Sequence, residues 1–167
     1  MQLEYKCQPT EMVVIIVIAG VRIKKLTRHV DSRGYVMEIL RADDEEFMEF
    51  GQAYVSACFP GLVKAWHCHT KQWDHFCCVA GNAKIGLFDD REESATCGET
   101  QSIVIGELNP ALIKIPPFVW HGMTALGGEL AVVLNIPTET YDYEEPDELR
   151  REPFDPKIPF EWHVRGG

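Results

Sequence analysis

Two imidazoles two positions apart, His67 and His69 flanking Cys68, are the residues in this chain that most invite chemistry. In an extended strand alternate side chains share a face, so both project the same way into an interior or a barrel mouth. There a neutral histidine can work as a general base near neutrality or offer a lone pair to a metal. Asp74 follows after a short gap, and a third histidine closes the run Pro116-Pro117-Phe118-Val119-Trp120-His121. The plain alternative is a pair of polar groups hydrogen-bonded at a strand end. Arg33 and Lys64 are candidate anion clamps, the first two-pronged and the second a point charge. Beside those roles stand structural ones, a surface ion pair of Arg33 with Asp31 and a Lys64 stem lying along Trp66.

The elements that must hold these groups read as strands. Short β-rich runs cover 13–18, 21–27, 35–40, 52–58, 62–68, 74–80, 83–89, 101–106, 111–115, 119–125 and 130–136. They are punctuated by Pro60-Gly61, Gly81-Asn82, Asn109-Pro110, Pro116-Pro117 and Gly127-Gly128, which is the pattern of an all-β sandwich or barrel. One helix is expected over Asp43 to Phe50, with Asp43 capping and Phe47 and Phe50 inward. Residues 138–152 are strongly acidic and suggest a short helix or ordered flap. The tail from Pro153 to Trp162 is rich in proline and aromatics and should pack across a surface. Cys77 and Cys78 are adjacent, so they face opposite ways and read as core thiols.

The chain of 167 residues suits one domain. We divide it into an N-terminal extension over 1–20, a barrel over 21–137 and an acidic flap and tail over 138–167. A net charge of −10 argues against nucleic acid and anionic membranes as partners, while leaving room for a small anion held by a few basic groups in one cleft. Six cysteines without a CxxC pair suggest neither a zinc ribbon nor a disulfide framework. The apolar run 12–19 is too short for a bilayer, which needs about 20 residues. The expected location is cytoplasmic.

The frame Gly61, His67-Cys68-His69, Asp74, Gly81 and the downstream Pro116 to His121 resembles the two cupin motifs, with Asp74 where a glutamate is usual and Phe118 where a glycine is usual. The resemblance implies a double-stranded β-helix, or jelly roll, with few short helices. In metal-binding cupins the matching positions imply His67, His69, Asp74 and His121 as ligands, a set suited to Fe, Mn, Ni, Zn or Cu.

A second resemblance covers most of the chain from residue 21. Asp31-Ser32-Arg33-Gly34-Tyr35-Val36-Met37-Glu38, the stretch from Gln52 through Ser56 and Lys64 to His69, Asp89-Asp90-Arg91 and Ile115 to Gly122 are similar to motifs of the dTDP-4-dehydrorhamnose 3,5-epimerase family, itself cupin-shaped. That likeness implies His67 as catalytic base, with Arg33, Glu38, Gln52, Lys64 and His121 on a nucleotide-sugar substrate, no required cofactor, and a homodimer made by exchanging N-terminal strands, for which the run 12–19 is a candidate.

Epimerisation beside a ketone needs a base of near-neutral pKa and a donor or cation for the enolate. Here the sequence departs from the family: its enolate-stabilising lysine aligns with Asp74, its glutamine with His69, and its catalytic tyrosine near Leu134-Asn135. Tyr141, Tyr143 and His75 are the candidate replacement acids. A metal on His67, His69, Asp74 and His121 would instead supply the electrophile, at the cost of occupying the base. The leading expectation is a nucleotide-sugar epimerase or keto-sugar isomerase. The rivals are a metal-dependent cupin oxygenase or isomerase, and a non-catalytic cupin that binds a sugar or nucleotide.

Overall fold

The computed structural model describes residues 18–163. The apolar run 12–19, apart from its last two residues, lies outside them, as does any exchange of N-terminal strands. Twelve strands follow: β1 (Arg22–Lys25), β2 (His29–Asp31), β3 (Gly34–Val36), β4 (Tyr54–Cys58), β5 (Val63–Cys68), β6 (Asp74–Ala80), β7 (Asn82–Asp89), β8 (Thr100–Gly106), β9 (Ala111–Ile115), β10 (Val119–Ala125), β11 (Ala131–Asn135) and β12 (Leu149–Arg150). They form a five-stranded sheet in the order β1-β9-β6-β11-β4, a second in the order β12-β5-β10-β7-β8, and the hairpin β2-β3. Every named strand pair is antiparallel. This is the jelly roll that the strand pattern and the cupin motifs imply.

Period-two alternation sorts the side chains into three layers. Ile85, Leu87, Ile103 and Ile105 of the second sheet meet Cys78, Ile113, Ile115 and Val133 of the first in the central core. Trp66, Cys68, Phe88 and Trp120 point outward from the second sheet and are roofed by Ile158, Phe160 and Trp162 of the tail. Gly86 makes room for this roof, since a Cβ there would stand 2.6 Å from the Trp162 ring. Cys77 and Leu112 point outward from the first sheet and are covered by Leu26, Met37, Ile39 and Leu40. Cys77 and Cys78 thus occupy opposite layers, and the described cysteines are all free.

The expected helix over 43–50 does not form, and the described residues contain no helix. The segment makes two successive four-residue turns, with Asp44 N–H donating to the Arg41 carbonyl and Phe47 N–H to that of Asp44. The Asp44 carboxylate accepts from Arg41 N–H at 2.8 Å and pairs with Lys24, while Asp43 takes the Arg41 guanidinium. Short acidic side chains that bond the local backbone offer it an alternative to the helix, and eight residues are too few for propensity to prevail. Phe50 is consequently exposed. The run 35–40 is also corrected: it splits into the end of the β2-β3 hairpin and a coil that covers the first sheet. The acidic segment after Thr138 forms no helix either. It crosses as a strap between the sheets and ends in β12, which pairs with β5.

Candidate active site

The inward faces of both sheets line a cleft of about 550 Å³. From the second sheet come Lys64 and His67 on β5, His69 just beyond it, and His121 on β10, which sits opposite His67 in the β10-β5 register. From the first come Tyr54 and Ser56 on β4 and Asn135 on β11, with Asp74 buried behind them on β6. Close approach of β10 and β5 is set by Gly122, where a Cβ would lie 2.3 Å from that of Ala65, and by a register shift between His121 and Met123.

His67 Nδ1 lies 2.6 Å from Glu148 Oε1. Burial alone would raise the Glu148 carboxyl, but hydrogen bonds from Arg150 and His67 overcome it and hold the group below its ordinary value. An ionised carboxylate can only accept, so Nδ1 carries the proton and Nε2 keeps the basic lone pair. Nε2 has no protein partner among the described residues.

A second cluster lies deeper. His69 Nδ1 faces the Asp147 carbonyl and His121 Nδ1 faces that of Val119 at 3.0 Å, so both donate from Nδ1. Their Nε2 atoms turn to Asp74 Oδ2, at 3.4 Å and 3.2 Å. Burial, opposed by the Asp74 charge, pushes His121 down to about 4 and keeps it neutral. Asp74 Oδ1 is already engaged by Gln72 Nε2 at 2.8 Å and Asn135 Nδ2 at 2.7 Å. Three lone-pair atoms, within 4.8 Å of one another, therefore converge with their outer atoms held by hydrogen bonds. Two imidazole nitrogens and one carboxylate oxygen, oriented through Nδ1, form a donor set that fits a first-row divalent metal. His67 stands outside this trio, paired instead to Glu148.

The strap is fastened by Asp147, whose carboxylate accepts from Thr70 N–H and hydroxyl, Lys71 N–H and Gln72 N–H at 2.6 to 3.1 Å. Against burial, these bonds hold it down at about 2. Lys64 Nζ reaches Ser56 Oγ at 2.7 Å, and Gln52, Tyr141 and Tyr143 also line the cleft. Arg33 and Glu38 do not: the Arg33 side chain is 87% exposed and paired to Asp31, and Glu38 is paired to Arg41. His75 points to the other side of its sheet, between the carbonyls of Ile136 and Glu46. Trp66 and Trp120 belong to the tail-covered layer, and Trp73 lies under Lys114, so none of the three tryptophans faces the cleft.

Glu148, Arg150, Tyr54, Gln72 and Asn135 were not singled out by sequence reasoning as site residues. The acidic stretch was visible, but which carboxylate reaches His67 depends on the β12-β5 register, in which Arg150 stands opposite His67.

The family model described as the polysaccharide biosynthesis C-terminal domain matches residues 29–149. A probable low-salt glycan biosynthesis epimerase of Haloferax volcanii is 44% identical over 135 residues, which is 80% of this chain and 86% of that protein. The spore coat polysaccharide biosynthesis protein SpsL of Bacillus subtilis is 41% identical over 147 residues, covering 88% and 97%. Among solved structures, a dTDP sugar isomerase from Desulfovibrio desulfuricans superposes with a TM-score of 0.82 at 32% identity, over 87% of this chain and 92% of its own. With the jelly roll and its histidine-lined cleft, these matches establish that the chain belongs to the polysaccharide biosynthesis C-terminal domain family of dTDP-4-dehydrorhamnose 3,5-epimerase-like cupins.

Proposed function

We propose that the chain is an isomerase that epimerises a 4-keto-6-deoxyhexose nucleotide by removing a proton from carbon next to the ketone, with His67 as base. The observation that carries this is the His67–Glu148 pair, which fixes the protonated nitrogen and leaves Nε2 free at the cleft. A carboxylate behind an imidazole also stabilises the imidazolium formed when the proton is taken. Lys64 and Arg150 supply positive charge at the cleft of a chain whose net charge is −10, as a diphosphate requires. The epimerase and isomerase names of the relatives point the same way. The test is deuterium uptake from heavy water into dTDP-4-keto-6-deoxyglucose. Wild type should exchange and His67→Asn should not; a wild-type protein that exchanges nothing overturns the reading.

One observation favours a metal-assisted version of this site. The Nε2 atoms of His69 and His121 converge on Asp74 Oδ2 while both imidazoles face a backbone carbonyl through Nδ1. A divalent cation held there would polarise the substrate carbonyl as a Lewis acid, the electrophile the sequence otherwise lacks. Elemental analysis of purified protein should then find about one equivalent of metal per chain, lost in Asp74→Asn. Metal-free protein with full exchange activity excludes it.

A further inference from the structure

Changing a stereocentre by proton transfer takes two groups. A base removes the proton from one face of the carbon, and an acid must return one to the other face. His67 accounts for the first, and the second must approach from across the cleft. β5 belongs to one sheet, and the wall facing it is built by β4, β6 and β11 of the other. Among the described residues, the titratable side chain that this wall exposes to the cleft is Tyr54 on β4, which is 42% exposed.

The hydrogen bonds around Tyr54 say where its proton is. His75 N–H lies 2.9 Å from Asn135 Oδ1, and a backbone N–H can only donate, so the amide of Asn135 has one possible orientation. Its NH₂ group then faces Asp74 Oδ1 at 2.7 Å and the Tyr54 hydroxyl oxygen at 3.0 Å, donating to both. The tyrosine oxygen is thereby an acceptor toward the wall. Its own hydrogen meets no acceptor among the described residues and is left for the cleft. Burial, opposed by the Asn135 bond, raises the hydroxyl above its ordinary value of 10.0, so it is protonated at neutral pH. Tyr141 and Tyr143 also line the cleft, but they ride on the strap that leads into β12 and are not part of the wall built by β4, β6 and β11.

We propose that Tyr54 is the catalytic acid, delivering its proton to the substrate carbon on the face opposite His67. The step balances: the C–H bond breaks toward His67 Nε2, leaving an imidazolium and an enolate, and a new C–H bond forms from the Tyr54 hydroxyl, leaving a tyrosinate. Transfer of a proton from imidazolium to tyrosinate through solvent restores both groups. The assignment rests on the epimerase reading, and its test separates the two.

Wild type, Tyr54→Phe, Tyr141→Phe and Tyr143→Phe are incubated with dTDP-4-keto-6-deoxyglucose in heavy water, following deuterium uptake and the appearance of epimer independently. In Tyr54→Phe, His67 still removes the proton and returns deuterium to the same face. Uptake should stay within a few-fold of wild type while inversion falls by about 100-fold or more. Retained exchange also shows that the variant is folded, and in Tyr141→Phe and Tyr143→Phe any loss should fall on exchange and inversion alike, keeping their ratio at the wild-type value. Tyr54→Phe inverting at the wild-type rate, or losing exchange and inversion together, overturns the assignment. Absence of exchange in wild type overturns the epimerase reading, and this assignment with it.

Discussion

A carboxylate 2.6 Å from His67 Nδ1 decides which ring nitrogen holds the proton, and so which can take one from a substrate. Glu148→Gln keeps an oxygen within reach but removes the charge that stabilises the imidazolium. We expect kcat to fall by about 100-fold with KM changed only a few-fold, as steady-state kinetics on the 4-keto sugar nucleotide will show. Equal loss in a Glu145→Gln control would mean the charge acts only at long range. The chemistry-bearing histidines were legible because period two puts His67 and His69 on one face, and because His121 closes a motif. Glu148, Asn135 and Tyr54 were not. Asn135 enters by standing opposite Phe76, diagonal to Asp74, in the β11-β6 register, and Glu148 by a contact 81 residues away from His67 in sequence. No local spacing encodes either contact. Arg33 was legible as a motif, yet the described chain leaves it at the surface on its own aspartate.

At the scale of elements, the strand edges were readable wherever glycine, proline or asparagine punctuated them, and the helix was misread where acidic side chains bond their own backbone. Phe118 is informative in this respect. It occupies the position where the motif has glycine, and it adopts φ 62°, the left-handed conformation a glycine would take freely. The turn was therefore predicted by the motif even though the residue departs from it. A tight joint between elements at the site is Gly122, packed against Ala65 and the backbone of Lys64. Gly122→Ala must push β5 away from β10. It should cost about 2 kcal/mol in denaturant unfolding and displace His67 enough to lower kcat, whereas Gly128→Ala, in open space, should do neither.

For the whole molecule, two carboxylates act as fasteners. Asp89 accepts from Arg91, Ser94 and Thr96 and closes the loop after β7, and Asp147 pins the strap; both have pKa values depressed below the ordinary range by those bonds. The unfolded chain binds these protons first as pH falls, so the stability they confer is complete above about pH 4 and is lost as pH drops toward 2. Thermal melts should decline gently from pH 7 to 5, where the unfolded chain protonates His121 and the folded one does not, and fall steeply below 4. A wild-type curve flat down to pH 3 would exclude this account, and Asp147→Asn should be less stable at pH 7 with a shallower acid limb. Ending the chain after Glu152 removes Ile158 and Trp162 from the outer layer. By area burial that is worth about 4 kcal/mol, enough to expose Trp66 and shift its fluorescence.

β12 has a further consequence. It is only two residues long, yet it occupies the outer side of β5, which would otherwise be the free edge of its sheet. A free edge of that kind is a template on which another chain can add a strand. Since the segment that shields this edge also carries Glu148, loosening it would invite self-association as well as strip the base of its partner. Solubility and turnover are thus tied to one short piece of chain, and substitutions that weaken the strap should be purged for aggregation as readily as for lost activity.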